Sequence, residues 1–311
     1  MTTILPESDH PSLQEMLAEA AERSGKYEWM AAAELYQLAL EGLDPGHDPL
    51  ETARVTGLLA KSYFKGAFQA ETREAFKRRM LLAEASYQKV AGLYQNAGSE
   101  APSKMSRARA LFASFWLKEE PEERRGIIER CNTLGAEAAR LLERQADRRK
   151  QAEANNDLLA YMVEAQHFVR EGQQLKEIFD KVLETGERAV GEFESLGEDE
   201  GLLESLNKTL SFLASNINSI GEQTRYRELE RRAEILGRQL VETSKRAGTP
   251  YALSLANQAV GWAAFEVEGD PAKALTLFEA GAKAAEPTKD SLLIGSLHAL
   301  AVYSAGWTES S

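Results

Sequence analysis

Little in this chain could lock it covalently or carry it across a bilayer. It holds one cysteine, Cys131, in 311 residues, so no internal disulfide framework can form. No apolar run approaches the roughly 18 residues that a membrane-spanning helix needs. The opening residues MTTILPESDH are neither basic nor followed by an apolar core, unlike a secretory signal. These absences point to the cytoplasm. No glycine loop could cradle a phosphate: Gly57-Leu58-Leu59-Ala60-Lys61-Ser62 lacks both the glycine before the lysine and the required length. A Gly-x-Ser-x-Gly nucleophile elbow is missing too. The four histidines, His10, His47, His167 and His298, are scattered. Glu164 and His167 do form a Glu-x-x-His at helical spacing. A di-metal carboxylate bundle needs that motif twice, with two further glutamates, and the other copy, Glu7 to His10, lies between prolines. No metal, no cofactor and no enzymatic activity are expected.

What the chain has is helical periodicity. Its hydrophobic residues make up 43% of the total, enough for a large core, and they fall in one-sided stripes. Leu202, Leu206, Leu210, Leu213 and Ile217 alternate by threes and fours. Tyr226, Leu229, Ala233, Leu236 and Leu240 do the same on the following segment. Each stripe needs a neighbouring helix to cover it. Frequent turn signals between the stripes disfavour one long coiled coil. Cys131 lies on the stripe Ile127, Ile128, Cys131, Leu134, Ala138 and Leu141, which predicts a packed thiol.

The stretch Tyr251 to Pro287 is the most telling. Leu253, Ala256, Val260, Ala264 and Val267 form one helical face, with Gly261 small enough for close helix approach. Gly269-Asp270 stops that helix, and Pro271 starts the next, where its missing N–H costs nothing. Ala274, Phe278, Gly281 and Pro287 then follow. Near the N-terminus, Gly25, Ala32, Tyr36, Ala39 and Pro45 repeat the arrangement. This spacing resembles the tetratricopeptide repeat, a helix-turn-helix unit that stacks into superhelices, although both copies run about a residue off the usual pattern. The best matches cover 12–45 and 250–287. The resemblance implies an all-α, right-handed superhelix (α-solenoid) of antiparallel helix pairs with about 13 helices, in one domain over 1–311. Pro11, Pro49, Pro102, Pro250 and Pro287 mark its period. The long gap between Pro102 and Pro250 predicts two further boundaries, near Arg149 and Glu198. The middle units are therefore longer than the standard repeat of about 34 residues. A final helix over 288–311 either caps the stack or opens a further unit.

Charge is unevenly spread. The chain carries −12 overall, yet residues 51–110 hold eleven Lys and Arg against five Glu, a net of +6. Arg54, Lys61 and Lys65 fall on one helical face, and Lys104 and Arg107 on another. In a tetratricopeptide-like fold the first helix of each pair lines the concave groove, so these five residues are the expected contacts for an acidic peptide or a C-terminal carboxylate. Asn207, Asn218 and Asn257 lie on first helices as well. The family resemblance implies a role for such groove asparagines in clamping a peptide backbone. Phe64, Phe68, Phe76, Phe112, Phe115 and Trp116 gather around the same region, more as core than as anchors. Nucleic acid is not the expected partner, since the whole-chain charge repels phosphate. Neither is a membrane surface, since no strongly basic helix carries large exposed apolar residues. The functional expectation is a non-enzymatic scaffold or adaptor for another protein or peptide. The alternative is a regulatory sensor within a larger signalling or ATPase assembly, responding to a peptide or small ligand.

Overall fold

Prolines and short polar caps set the helix starts. Pro49, Pro121, Pro250 and Pro271 each open a helix, where a missing N–H is harmless. Thr249 and Asp270 accept from the backbone N–H groups of Ala252 and Lys273, and Ser12 forms a reciprocal capping box with Glu15. Gly269 ends one helix with φ +67°, in the left-handed region.

The computed structural model describes residues 12–169, 172–219 and 223–308. Among these the regular elements are all helical. The first helices of successive pairs are α1 (Leu13–Gly25), α3 (Pro49–Ala67), α5 (Glu100–Phe115), α7 (Arg148–Ala165), α9 (Asp199–Asn216) and α11 (Pro250–Glu266). Their second helices are α2 (Trp29–Glu41), α4 (Arg73–Asn96), α6 (Pro121–Gln145), α8 (Gly172–Leu196), α10 (Gln223–Ala247) and α12 (Pro271–Ala285). The last helix, α13 (Ser291–Thr308), follows a short 3-10 turn over Glu286–Thr288.

Consecutive helices pack on one another throughout, and α9 packs beside both α7 and α11. The result is an all-α, solenoid-like stack with a distributed core. One apolar cluster spans α7 to α11, another α1 to α5, and a third α11 to α13.

The two boundaries without a proline fall where α7 starts at Arg148 and α9 at Asp199. The units starting at Pro49, Glu100, Arg148 and Asp199 are nearly equal in length, and each is longer than those starting at Leu13 and Pro250. Their extra length lies chiefly in the second helices. α4 has 24 residues, and α6, α8 and α10 have 25 each, against 13 in α2 and 15 in α12. The proline markers are uneven guides. Pro102 is the third residue of α5, Pro287 sits in the turn before α13, and Pro11 lies outside the described residues.

Gly261 behaves as its position suggests. A Cβ there would lie 2.7 Å from the ring of Phe278 on α12, so only glycine permits this approach. Cys131 is fully buried, its Sγ 3.5 Å from the Ala108 carbonyl. Burial pushes its thiol up to about 12.

Candidate functional site

The first helices are joined by polar rungs, four of them linking positions 48 apart in the chain. Arg109 on α5 donates from Nε to Asp157 on α7 at 2.7 Å. Asn156 on α7 reaches α9, where its amide donates to Glu204 at 3.3 Å. Its carbonyl accepts from Lys208 at 2.8 Å and Ser205 at 3.1 Å. Asn207 on α9 donates to the Leu255 carbonyl on α11 at 2.9 Å, and Asn218 donates to the Glu266 carboxylate at 2.9 Å. The nearly constant length of the middle units brings such positions together at successive levels of the stack.

More consequential is a contact across the stack. Lys61 and Lys65 on α3 pair with Glu200 and Glu204 on α9, at 3.1 and 3.0 Å. Lys65 also lies 3.5 Å from the Tyr251 hydroxyl on α11. At the C-terminal end of α3, the Phe68 carbonyl accepts from the backbone N–H of Ser291 at 2.9 Å and from its hydroxyl at 2.6 Å. Ser291 opens α13. The end of one helix therefore meets the start of another, which satisfies an orphan carbonyl and opposes dipoles of complementary sign. Gln69 donates to the carbonyls of both Tyr27 and Thr288. The Tyr27 ring sits 6.1 Å from that of Tyr251, and Tyr27 holds a left-handed φ of 62°, unusual without glycine. The chain thus curves until α3 rests against the N-terminal ends of α9, α11 and α13. This closure is polar, whereas packing along the chain adds polar rungs to an apolar core.

Its electrostatic centre is mostly buried, with Lys65 and Glu204 side chains 24% and 17% exposed. Burial alone would push the Glu204 carboxyl up. The ammonium groups of Lys65, Lys208 and Lys61 outweigh it and hold the carboxyl well below its ordinary value. Burial would likewise lower Lys65, but Glu204 and Tyr251 hold it well above its ordinary value. Asp157 differs: burial pushes its carboxyl up despite Arg109, whereas Asp157 and Glu153 together hold the Arg109 guanidinium above its ordinary value despite its burial.

The eight residues expected from sequence fall into separate groups. Lys61 and Lys65 lie at the closure. Arg54 shares their helix and is held by Glu51 one turn earlier, at 2.6 Å. Lys104 and Arg107 do not join them. Lys104 reaches Glu137 on α6 at 2.7 Å, and Arg107 donates to Gln95 at the end of α4. The opposite side of α5, with Arg109 and Phe112, meets α3 and α7: the Phe112 ring lies 6.0 Å from Phe64 and 5.0 Å from Tyr161. Asn207 and Asn218 link α9 to α11, whereas Asn257 is partly buried against α12 at Gly281.

Glu200, Glu204, Asn156 and Tyr251 were not among the expected residues. The period implied by the proline spacing could have flagged Asn156 and Glu204, which sit 48 apart. Nothing local in the sequence marks them as partners of α3.

The aromatic group packs on itself, with Phe68 edge-on to Trp116 at 5.4 Å and Phe115 fully buried. Arg107 lines an open cleft of about 460 Å³ with Glu84, Leu111, Arg130 and Leu134, away from the closure. Burial pushes the Glu164 carboxyl up, and His167 is exposed. Among the described residues no three His, Cys, Asp or Glu side chains converge as a metal site. No helix there is long and apolar enough to cross a membrane.

No family model and no curated protein matches this chain. Among solved structures, it is similar to one described as a circular tandem repeat protein with novel repeat topology and enhanced subunit contact surfaces. The identity is 13%, with 94% of this chain and 88% of the other covered and a TM-score of 0.34. Another, from work on the computational design of self-assembling cyclic protein homooligomers, is 15% identical over 96% and 98% of the two chains, with a TM-score of 0.18. Likeness at this level carries no assignment of function.

Proposed function

We propose that this chain is a tetratricopeptide-like, non-enzymatic scaffold of the cytoplasm that binds another protein or a peptide on its first-helix face, with an acidic segment as the ligand. The observation that supports this most is the pairing of Lys61 and Lys65 with two carboxylates spaced one helical turn apart, Glu200 and Glu204. An acidic peptide presents the same groups at the same spacing and would compete for these ammoniums. Arg54, further along the face, extends the basic track, and Asn207 and Asn218, whose amides donate to Leu255 and Glu266, would brace that face rather than contact the peptide. Rigid helices hold these groups in place, so little side-chain entropy is lost on binding. Lys104 and Arg107 would belong to a separate outer surface.

The test is anisotropy of a labelled oligoglutamate peptide titrated with wild-type protein and with Lys61→Glu/Lys65→Glu. The reading expects salt-sensitive binding that the variant loses. Equal affinity of the two proteins, or no binding by the wild type, would remove it.

A second reading, a regulatory sensor arm, is favoured by the polar character of the closure. A ligand that displaces Glu200 and Glu204 would also release α3 from α9 and change the curvature. Scattering with and without a bound acidic peptide separates the two. An unchanged radius supports a scaffold, and a ligand-dependent change supports a sensor.

A further inference from the structure

The two ends of the stack have opposite characters. At the N-terminal end, α1 exposes Gln14, Glu15, Glu19, Glu22 and Arg23, a polar outer face. At the other end, α13 contains no Asp, Glu, Lys or Arg in 18 residues. One side of it, with Leu293, Leu297 and Ala301, packs into the core with α11 and α12. The opposite side exposes Leu292 by 49% and Val302 by 75%, together with Gly295 and Ala299, with the exposed His298 at its flank. Tyr303, 47% exposed, lies at its edge, its ring centroid 5.1 Å from that of Phe265 on α11. A helix that is apolar all round is normally covered on all sides. Glycine also weakens a helix by about 1 kcal/mol relative to alanine. Nothing lies within 4 Å of a Cβ built on Gly295, so packing within the described chain does not explain that glycine.

We propose that this face of α13 is the interface of a homodimer, in which α13 packs antiparallel against α13 of a second copy about a two-fold axis at Ala299. The spacing is self-complementary in that register. Leu292 falls opposite Gly306 of the second copy, Gly295 opposite Tyr303, and Ala299 opposite itself, so Leu292 and the exposed edge of Tyr303 each meet a glycine. Charge selects the same arrangement. Two chains of −12 repel each other, and α13 offers them a helix free of like charge. Stacking head to tail would instead set the apolar face on the charged residues of α1, so a closed, isologous pair is favoured over an open filament. The helix is about 27 Å long at 1.5 Å per residue. Two such faces hide on the order of 1,000 Å², the lower bound for a specific interface.

The test is solution mass by light scattering and sedimentation, using the full chain at concentrations up to about 100 μM, where a micromolar interface is populated. The wild type should show twice the 34.4 kDa of one chain. Ala299→Glu and Ala299→Lys, each at an exposed position and checked for unchanged helicity, should each be monomeric, because like charges meet at the axis. An equimolar mixture of the two should dimerise at least tenfold more tightly than either alone. A monomeric wild type, open-ended oligomers, or variants that dimerise as well as the wild type would overturn the proposal. Loss of the dimer in both variants without recovery on mixing would overturn the antiparallel register.

Discussion

Glu204→Gln is the most discriminating perturbation of the closure. It removes a carboxylate that serves Lys65 at 3.0 Å and Lys208 at 3.3 Å, and it leaves the Lys65 ammonium largely buried with the Tyr251 hydroxyl at 3.5 Å. Breaking a buried pair from one side typically costs 3–5 kcal/mol, so with side chains still partly exposed a loss of about 3 kcal/mol is expected. Lys65→Met is gentler. Glu204 then keeps Lys208 and the Asn156 amide, both at 3.3 Å, so a loss of about 1–2 kcal/mol is expected, near the scale of one charged hydrogen bond. The double variant should lose less than the sum by about 1 kcal/mol or more, because the two residues act on each other. Urea unfolding at neutral pH, followed by helicity, measures all three. Equal single losses, a larger loss for Lys65→Met, or strict additivity would refute the argument.

The same pairing carries a pH dependence. Because Glu204 titrates below its ordinary 4.5 in the folded chain, its contribution is complete above that value and fades as the pH falls towards the depressed one. The stability gap between wild type and Glu204→Gln should therefore shrink in acid below 4.5, and a gap that persisted unchanged would contradict the assignment. Gly261→Ala should destabilise by about 1–3 kcal/mol, since the fully buried Phe278 ring has nowhere to retreat; a neutral effect in urea unfolding would show that α11 and α12 have slack. Cys131, with its thiol pushed up to about 12, should resist thiol reagents until the chain unfolds. Rapid labelling of the native protein would count against its burial.

The helices were legible in the sequence because their signals are local. Gly269-Asp270-Pro271 marks one turn, and the Leu202 stripe fixes the buried side of α9. Length arithmetic between Pro102 and Pro250 placed boundaries one residue from the observed starts at Arg148 and Asp199. The site was less legible, for two physical reasons. Lys104 and Arg107 do share a face, but which face of α5 turns inward is decided by Arg109 and Phe112, whose partners lie on other helices. Lys61 and Lys65 meet glutamates 139 residues away. That meeting depends on curvature summed over several small rotations between repeats, and no local pattern records it.

The ion pairs of Lys61 and Lys65 with Glu200 and Glu204 tie α3 to α9 across the stack, so breaking them should relax its curvature. The most direct measurement is small-angle scattering of the wild type beside Lys61→Glu/Lys65→Glu, with helicity recorded for both. A larger radius of gyration is expected for the variant at unchanged helicity, as α3 is repelled from Glu200 and Glu204. Superimposable scattering curves from two equally helical proteins would contradict it.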